Sequence, residues 1–575
     1  MKLSTTPYPL LVACGLSLTW SASALAEDYR YRTIVKTGDT VPDVGGIFTG
    51  FGNPRINGQG QVAFSAMRTG DVGHVGMWMT SPHASGGLEV IMLSGVQVPG
   101  AAPGVVFGAF SPEILAPEIN NTGNVAISVP LAGLPDSNAN GLFRYINGEL
   151  SKVAIPGDAA PGIGGGINFH RFSETPGFND GDLMAFGARL SGPGVTPDNN
   201  TSIYMHWFGG LNLIKREGSP APPAGFGWTW GANSPNPLSP ALLPLVQIAP
   251  TGRLGFDSQL FTNQGATTSR WTGWPGALSH TMLGGNFSPE FLPFALVHEN
   301  LGVYSMNLSA EGMCFYHSVE TNNGTASGIW RRTDNTMETV AYEGMAAPIG
   351  SYKQIWPFNP VASYDGTVAF TATLNLPDSS SGRALLRNTP FGSSTIVMQS
   401  GDPAPGYRDG VTIALVGNIK GIDDEGRIYF NSSVQGPGID GSNSNGLWRA
   451  DPDGNTHLII RDGQWMTLED GDTRQVEFVY LYRGSGLHTG RLPAFNNDRQ
   501  IALRVFFTDG SSAIIVASPD CPGDLNLDGH VNVFDLLLLL EGWGACDGCP
   551  ADLNGDGTVN VFDLLLMLDA WGECF

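Results

Sequence analysis

Charged residues are scarce in this chain, and basic residues are the scarcer kind. Only 14% of the 575 residues are charged, and 29 Lys and Arg face 52 Asp and Glu, which gives a net charge of −23. Nucleic-acid binding needs a basic surface that displaces counterions from phosphates. A chain this acidic, with no cluster of Lys or Arg, is not a nucleic-acid-binding protein. We interpret the acidity as a source of solubility and of carboxylates for metal binding.

Long apolar runs are missing beyond the N-terminus. A membrane-spanning helix needs about 20 apolar residues, and the run Leu536–Leu540 is far too short. The sequence therefore predicts no transmembrane segment.

The N-terminus predicts export. An apolar stretch, Leu10–Trp20, precedes the small-residue site Ala24-Leu25-Ala26, which is the form of a signal peptide. We expect residues 1–26 to be removed and the mature protein to be secreted. The alternative is a lipobox ending in Cys14, which would make the protein a lipid-anchored envelope protein.

Recognisable catalytic motifs are also missing. No HExxH or H-x-x-x-H pair, G-x-S-x-G elbow or phosphate-binding loop occurs. A glycosidase needs two carboxylates at a set distance, and the sequence alone does not pair them. Ser363-Tyr364-Asp365-Gly366 resembles part of the Asp-box of sialidase propellers, but the downstream Gly and Trp are absent. We interpret this segment as a turn.

Several tryptophans are candidates for stacking on sugar rings. They are Trp228, Trp230, Trp271 and Trp274. Aromatic residues at strand spacing more often fill a core, so we interpret most of them as core residues. The segment 228–230 lies between Gly-rich turns and is the one that could face a ligand.

Glycine and proline are abundant, at 78 and 40 residues, and they mark a repeat. A Gly/Pro motif follows a short apolar strand at intervals of about 57 to 66 residues, at Gly38, Gly95, Gly157, Gly218, Gly284, Gly344, Gly401 and Gly463. A second element is a Gly turn that opens an alternating strand, as in Gly60–Phe64, Gly123–Ile127, Gly252–Phe256, Gly366–Phe370 and Gly426–Phe430. A third element closes each unit, as in Gly76–Met79, Gly141–Arg144, Gly328–Arg331 and Gly446–Arg449.

The repeat predicts a mainly β fold for residues 27–518. We count eight units of three or four strands, and small sheets bury their faces by stacking around an axis. We predict an eight-bladed β-propeller, with a seven-bladed ring or another repeat β fold as alternatives. Strands at Thr33–Lys36 and Ala513–Val516 lie at the two ends of this region. We expect them to pair in one sheet and to fasten the ring.

Two 12-residue segments in 519–575 have the pattern of calcium-binding loops. They begin 28 residues apart, at Asp524 and Asp552. Calcium prefers six to eight oxygen ligands, which such a loop supplies from positions 1, 3, 5, 7, 9 and 12, with Gly at position 6. We predict two calcium ions, held by Asp524, Asn526, Asp528, the His530 carbonyl, Asn532, Asp535, Asp552, Asn554, Asp556, the Thr558 carbonyl, Asn560 and Asp563. Position 12 is Asp rather than Glu, so its shorter arm binds through one oxygen or draws the following helix closer.

This duplicated arrangement of a loop followed by a short helix resembles a type I dockerin. The predicted helices are Leu536–Trp543 and Leu564–Trp571, and the resemblance covers residues 521–575. It implies a small α-helical, calcium-dependent fold and a cohesin-like partner. The pairs Val533-Phe534 and Val561-Phe562 depart from the polar residues that are common there. These side chains either contact a different partner, such as a cell-envelope protein, or pack in the module's own core.

The cysteines cluster around the same module. Of six, Cys14 lies in the signal segment, Cys314 stands alone and four follow the duplication: Cys521, Cys546, Cys549 and Cys574. Export favours disulfides. The pseudo-twofold arrangement of dockerins implies the pairs Cys521–Cys574 and Cys546–Cys549, with pairing inside each repeat as the alternative.

Two functions remain open from the sequence. The first is a secreted, non-catalytic binding or structural propeller that a dockerin-like module tethers to a partner. The second is an extracellular polysaccharide hydrolase or lyase, because dockerins accompany such enzymes elsewhere. We favour the first because no catalytic constellation is visible, and polysaccharide is a candidate ligand in both.

Overall fold

The structure is a computed structural model. It describes residues 29–575 apart from 71–72, 82–86, 114, 116, 137–138, 174, 222–228, 232–245, 250, 263–264, 284–295, 298–305, 309–311, 322–323, 334–336, 357–359, 469, 482–493, 522, 527–529, 547–548 and 575. The predicted signal peptide, Cys14, Trp228, Gly284 and Asp528 lie outside the described residues. No described helix is long and apolar enough to cross a membrane.

The body is built almost entirely of short strands. In chain order they are β1 (Tyr29–Lys36), β2 (Phe48–Phe51), β3 (Arg55–Ile56), β4 (Val62–Arg68), β5 (Val75–Thr80), β6 (Leu88–Leu93), β7 (Val106–Phe107), β8 (Glu118–Ile119), β9 (Val125–Ala132), β10 (Asn140–Ile146), β11 (Glu149–Ala154), β12 (Asn168–Phe172), β13 (Gly177–Phe178), β14 (Met184–Ser191), β15 (Thr201–Trp207), β16 (Gly210–Arg216), β17 (Thr229–Trp230), β18 (Gln247–Ile248), β19 (Leu254–Thr262), β20 (Gly265–Trp274), β21 (Ala277–Leu283), β22 (Leu296–Val297), β23 (Met306–Leu308), β24 (Gly312–Thr321), β25 (Gly324–Thr333), β26 (Met337–Tyr342), β27 (Ser351–Ile355), β28 (Val361–Ala362), β29 (Val368–Asn375), β30 (Ser381–Asn388), β31 (Ser394–Gln399), β32 (Thr412–Ile422), β33 (Ile428–Gln435), β34 (Asn445–Ala450), β35 (Thr456–Arg461), β36 (Trp465–Thr467), β37 (Thr473–Tyr480), β38 (Ile501–Phe507) and β39 (Ser512–Pro519).

These strands form antiparallel sheets that follow one another along the chain. Seven sheets have five strands, as in the order β2-β4-β5-β6 with β3 also paired to β4. In six of these seven the first strand is split into two halves, and both halves pair with the second strand. The remaining sheet, β32-β33-β34-β35, has four strands because its first strand runs unbroken through three register shifts.

The two ends of the body meet in one sheet, as predicted. β1 pairs with β39 in the order β1-β39-β38-β37-β36, and Thr33 lies opposite Ile515. Every residue of β39 is buried, so β1 covers what would otherwise be an exposed apolar edge. The N-terminal strand therefore fastens the ring.

The prediction of a mainly β propeller is confirmed. The seven five-stranded sheets match the seven-blade alternative. The leading eight-blade prediction is not matched, because it also counts the four-stranded sheet β32–β35 as a blade. The second halves of the split strands contact those of the neighbouring sheets, as β3 does with β8 and β13 with β18. This contact places the first strand of each sheet on the inner side of the ring.

Aromatic residues of the repeat fill the spaces between sheets. Trp78, Trp330 and Trp448, which belong to the third repeated element, are fully buried. Trp230 and Trp271 pack on each other in the same way, with ring centroids 4.3 Å apart. These two are core residues, so they do not stack on sugar, whereas Trp274 is half-exposed in a hairpin.

The C-terminal module follows the body directly. It consists of β40 (His530–Val531), α1 (Val533–Glu541), β41 (Gly544–Ala545), β42 (Thr558–Val559), α2 (Val561–Asp569) and β43 (Gly572–Glu573). β40 pairs with β43 and β41 with β42, so each half of the duplication completes the other. The disulfides are Cys521–Cys574 and Cys546–Cys549, the pairing that the resemblance implied. The module's small core contains Val531, Leu539, Ala551, Val559 and Met567.

Candidate functional site

The second C-terminal loop is folded around its own oxygen atoms. The carboxylate of Asp552 accepts hydrogen bonds from the backbone N–H groups of Asp556 (3.1 Å) and Gly557 (2.7 Å). Asn554 Oδ1 accepts from the same Asp556 N–H at 2.9 Å. Asp556 Oδ1 accepts from the N–H of Thr558 at 2.9 Å. The side chains at positions 1, 3 and 5 are thus turned inward, where a cation in the loop would meet them.

The Asp at position 12 joins the start of each loop to its helix. In the second loop, Asp563 accepts from the N–H of Asn554 (3.2 Å) with one oxygen and from the N–H of Asn560 (2.8 Å) with the other. Asn560 is the N-cap of α2 and accepts from the N–H of Phe562. This reciprocal capping box satisfies N–H groups that the helix itself leaves unpaired. Asp563 therefore bonds both to the start of the loop and to the N-cap of α2.

The first loop repeats this arrangement. Asp535 accepts from the N–H groups of Leu525 (2.8 Å) and Asn526 (3.1 Å) with one oxygen and from Asn532 (2.9 Å) with the other. Asp535 and Asp563 are fully buried, and Asp524 is almost so. Buried carboxylates at equivalent positions show that the duplication extends to side-chain contacts.

The donor set fits calcium. Residues 521–575 contain ten Asp and Glu and no Lys or Arg, so their mutual repulsion is not relieved by any basic side chain of the module. The candidate ligands are carboxylate, amide and backbone oxygens, which a hard cation prefers. In the described part of the chain, no three His, Cys, Asp or Glu side chains converge on one point. The candidate ligands of each loop also include Asn side chains and backbone oxygens, and Asp528 lies outside the described residues.

Each helix of the module exposes an apolar face. Phe534 and Phe562, at equivalent positions, are each 62% exposed. Their neighbours are also exposed: Val533, Leu537 and Leu540 on the first helix with Trp543 just after it, and Val561, Leu565 and Leu568 on the second with Trp571 just after it. The alternative that the Val-Phe pairs pack in the module's core is therefore wrong. We call these two sets of residues the paired apolar faces.

A second structured region lies at one end of the ring. Four Asn residues sit in the turn that follows the first strand of their sheets, and each donates through Nδ2 to a backbone carbonyl of the next sheet. The links are Asn496 to Asn57 (3.0 Å), Asn57 to Asn120 (2.9 Å), Asn120 to Asn179 (3.1 Å) and Asn179 to Ala249 (3.1 Å). We call this set the asparagine ladder and its end of the ring the ring mouth. The sequence showed the Asn-rich turns but not that they join neighbouring sheets.

Three carboxylates of the ring mouth accept hydrogen bonds from the turns at this end of the ring. Asp180 accepts from the backbone N–H of Asn121 at 2.8 Å. Asp423 takes the ladder position in the sheet β32–β35, where it accepts from the N–H and Nε of Arg427 (2.8 and 2.7 Å). Asp365 accepts from the N–H and hydroxyl of Thr367. The segment 363–366 is thus a repeat turn, as we interpreted it.

A small cleft of about 50 Å³ lies between the sheet β32–β35 and β37. Lys420, Asn431, Asn445 and Asp462 contribute its polar lining. Burial raises the pKa of Asp462, and Asn445 donates to its carboxylate at 2.9 Å. Glu217 holds the corresponding place in another sheet, where it accepts from the N–H of Thr201. An acidic residue at this position therefore supports the third strand, which is a structural role.

Two family models match the chain, one over the propeller body and one over the C-terminal module. A model of a family of unknown function, DUF7453, matches residues 17–134, 84–269, 248–391 and 310–519. A type I dockerin model matches residues 522–570. No curated protein sequence matches the chain.

Solved structures show only distant similarity. The β-propeller domain of the trilobed protease from Pyrococcus furiosus is 9% identical, with 72% of this chain and 99% of that chain covered and a TM-score of 0.34. The Dos1 propeller is 9% identical, with coverage of 85% and 95% and a TM-score of 0.35. The polysaccharide lyase Uly1 is 10% identical, with coverage of 60% and 77% and a TM-score of 0.27.

Type I dockerin domains bind calcium and bind cohesins. A dockerin behind a propeller body supports an extracellular component of the cellulosome type. The chain belongs to the DUF7453 family of unknown function and carries a C-terminal type I dockerin domain.

Proposed function

We propose that this is a secreted calcium-binding protein whose propeller is a non-catalytic binding or structural unit. Its dockerin domain tethers the propeller to a cohesin-like protein outside the cell. The observation that carries the proposal is the pair of apolar faces on a module whose loops have calcium-binding chemistry.

The paired apolar faces support a protein partner. Exposed apolar patches of this kind mark interaction sites on soluble proteins. The two helices present matching residues, Phe534 and Phe562 above all, because the module is a duplication. A partner can therefore use either face, with its contacts built from aromatic and aliphatic side chains.

Two calcium ions would hold the faces in place. The proposed ligands are those predicted from the sequence, from Asp524 to Asp535 in the first loop and from Asp552 to Asp563 in the second. Bound calcium would neutralise the carboxylates of a module without basic residues and would fix the loops from which both helices start. Asp535 and Asp563 would then set helix position and ligand geometry together.

The geometry of the ring mouth supports a non-catalytic propeller. General acid–base catalysis needs carboxylates that reach a substrate. The mouth carboxylates described above accept hydrogen bonds from their own turns or from the next sheet. Asp423 is fully buried. These groups stabilise the ring, and polysaccharide remains a candidate ligand rather than a substrate.

The test uses the mature chain, 27–575, and a purified type I cohesin domain as the probe. We expect calorimetry to show two calcium ions bound, and cohesin binding in calcium that disappears with chelator. Exchanging both aromatic residues, Phe534→Ser and Phe562→Ser, should weaken cohesin binding at least tenfold and leave calcium binding intact. The double variant Asp524→Ala/Asp552→Ala should lose both.

The outcomes separate the parts of the proposal. Calcium binding without cohesin binding would contradict the cohesin-like partner and would point to a cell-envelope partner. Unchanged cohesin binding by the Phe variant would show that the paired apolar faces are not the contact surface. Release of reducing or unsaturated sugars from polysaccharides by the pure protein would contradict a non-catalytic propeller.

A further inference from the structure

The junction between the propeller and the dockerin domain is unusually short. β39 ends at Pro519, and only Asp520 separates it from Cys521, which is tied to Cys574. Asp520 also forms an ion pair with Arg30 of β1. The closing sheet therefore leads into the module without a linker.

Arg499 occupies a backbone conformation that most equivalent turns of the repeat leave to glycine. Its φ is 61°, in the left-handed region, where side chains other than Gly are strained. The same place in the turns of five other sheets holds Gly60, Gly123, Gly252, Gly366 and Gly426, with φ between 74° and 90°, and in a sixth sheet it holds Asp182, with φ 55°. A strained residue at a repeat position is a reason to look for what its side chain does.

The side chain of Arg499 reaches the dockerin domain. Arg499 is 8% exposed, and its guanidinium donates to the backbone carbonyl of Cys574. Cys574 is joined to Cys521, and the carbonyl of Cys521 accepts from the N–H of Asp524, the first residue of the first calcium loop. A short path of bonds thus connects the ring mouth with that loop.

The ring side of this contact is equally well defined. Arg499 lies in the turn whose Asn496 starts the asparagine ladder through the carbonyl of Asn57. Asn496 Oδ1 accepts from the N–H groups of Asp498 (3.1 Å) and Gln500 (3.0 Å). Arg499 therefore belongs to a turn that is hydrogen-bonded internally and to the neighbouring sheet.

We propose that Arg499 is an interdomain latch. It docks the C-terminal end of the dockerin domain on the ring mouth and couples the first calcium loop to the closing sheet of the propeller. The coupling rests on the calcium binding proposed above. It fixes the orientation of the propeller relative to the dockerin domain. A partner that binds the dockerin domain therefore also fixes the orientation of the ring.

The test is hydrogen exchange of the mature chain with calcium and with chelator, alongside calcium calorimetry. In the natural protein we expect calcium to slow exchange at Asp498 and Gln500 at least tenfold. In Arg499→Gly the effect should fall below twofold, because the latch is lost while the turn keeps the residue that other sheets use. Asn147→Gly, a left-handed residue in the hairpin between β10 and β11 of another sheet (φ 51°), is the matched control and should behave as the natural protein does.

Each contrary result has a separate meaning. Calcium binding with no change of exchange in the natural protein, or with equal changes in Arg499→Gly, overturns the latch and leaves the proposed function standing. The absence of calcium binding overturns the proposed calcium sites and the coupling together.

Discussion

At the scale of the residue, Asp423 shows how a different side chain fills a place made for asparagine. Asn57, Asn120 and Asn496 hold their turns with an amide, whereas Asp423 does so with a fully buried carboxylate. Arg427 completes the replacement because its guanidinium reaches the carbonyl of Asn497 in the next sheet. The aspartate and arginine together do what one asparagine does elsewhere.

This exchange makes the ring sensitive to pH. Burial raises the pKa of Asp423 to about 6 from an ordinary value of 3.8. The folded state therefore binds this proton more tightly than the unfolded chain. The resulting stabilisation is fully present below pH 4 and is lost as pH rises through 6, and it amounts to about 3 kcal/mol. In Asp423→Asn this dependence should disappear.

The measurement is the melting temperature of the natural protein and the variant between pH 4 and pH 7. The variant should lose less stability than the natural protein across this range. Asp424→Asn, at the exposed neighbouring position of the same turn, should keep the natural slope. Equal slopes for the natural protein and Asp423→Asn would show that Asp423 does not titrate as described.

At the scale of the element, each capping aspartate bonds with one side chain both to its loop and to the start of its helix. Asp563 accepts from the loop at Asn554 and from the N-cap at Asn560. An asparagine there has one acceptor oxygen, so Asp563→Asn leaves one of the two N–H groups without its partner. Burying an unpaired N–H costs about 1–3 kcal/mol. The variant should have a less stable dockerin domain even in chelator, and calcium affinity at least tenfold lower.

Circular dichroism of the helices and calcium calorimetry on the mature chain measure the two effects. Asp569→Asn, at the last turn of α2, removes a carboxylate outside the loop and is the control. Loss of calcium affinity without loss of stability in chelator would mean that Asp563 acts as a ligand alone.

The elements differ in how far the sequence reveals them. The two proposed calcium loops could be predicted because their candidate ligands recur at fixed spacing within 12 residues. The repeat strands could be predicted from glycine turns followed by alternating apolar and polar residues. The splitting of the first strands could not be predicted, because halves such as Arg55–Ile56 are only two residues long. The ladder was hidden as well, since Asn57 and its partner Asn120 lie 63 residues apart and meet only when sheets stack.

At the scale of the whole molecule, closure depends on eight residues of β1. Besides its pairing with β39, β1 links the closing sheet to the sheet β32–β35. Arg449 donates to the hydroxyl of Tyr29 at 2.7 Å, and the hydroxyl of Tyr31 donates to the carbonyl of Ile459 at 2.6 Å. The ring is thus held at its seam by main-chain pairing and by side chains that cross to the next sheet.

A chain that begins at Thr37 should therefore fail to close. Removal of β1 uncovers the edge of β39, whose residues are all buried in the intact ring, and an exposed apolar edge strand pairs with other molecules. We expect a melting temperature lower by 10 °C or more, which follows from the loss of several kcal/mol of packing. We also expect oligomers on size-exclusion chromatography.

A chain that begins at Tyr29 keeps β1 and should match the mature protein. A peptide of residues 27–36 added in trans should restore part of the lost stability, because it supplies the missing strand. If the shortened chain melted and eluted like the mature protein, the N-terminal strand would not be what holds the ring closed.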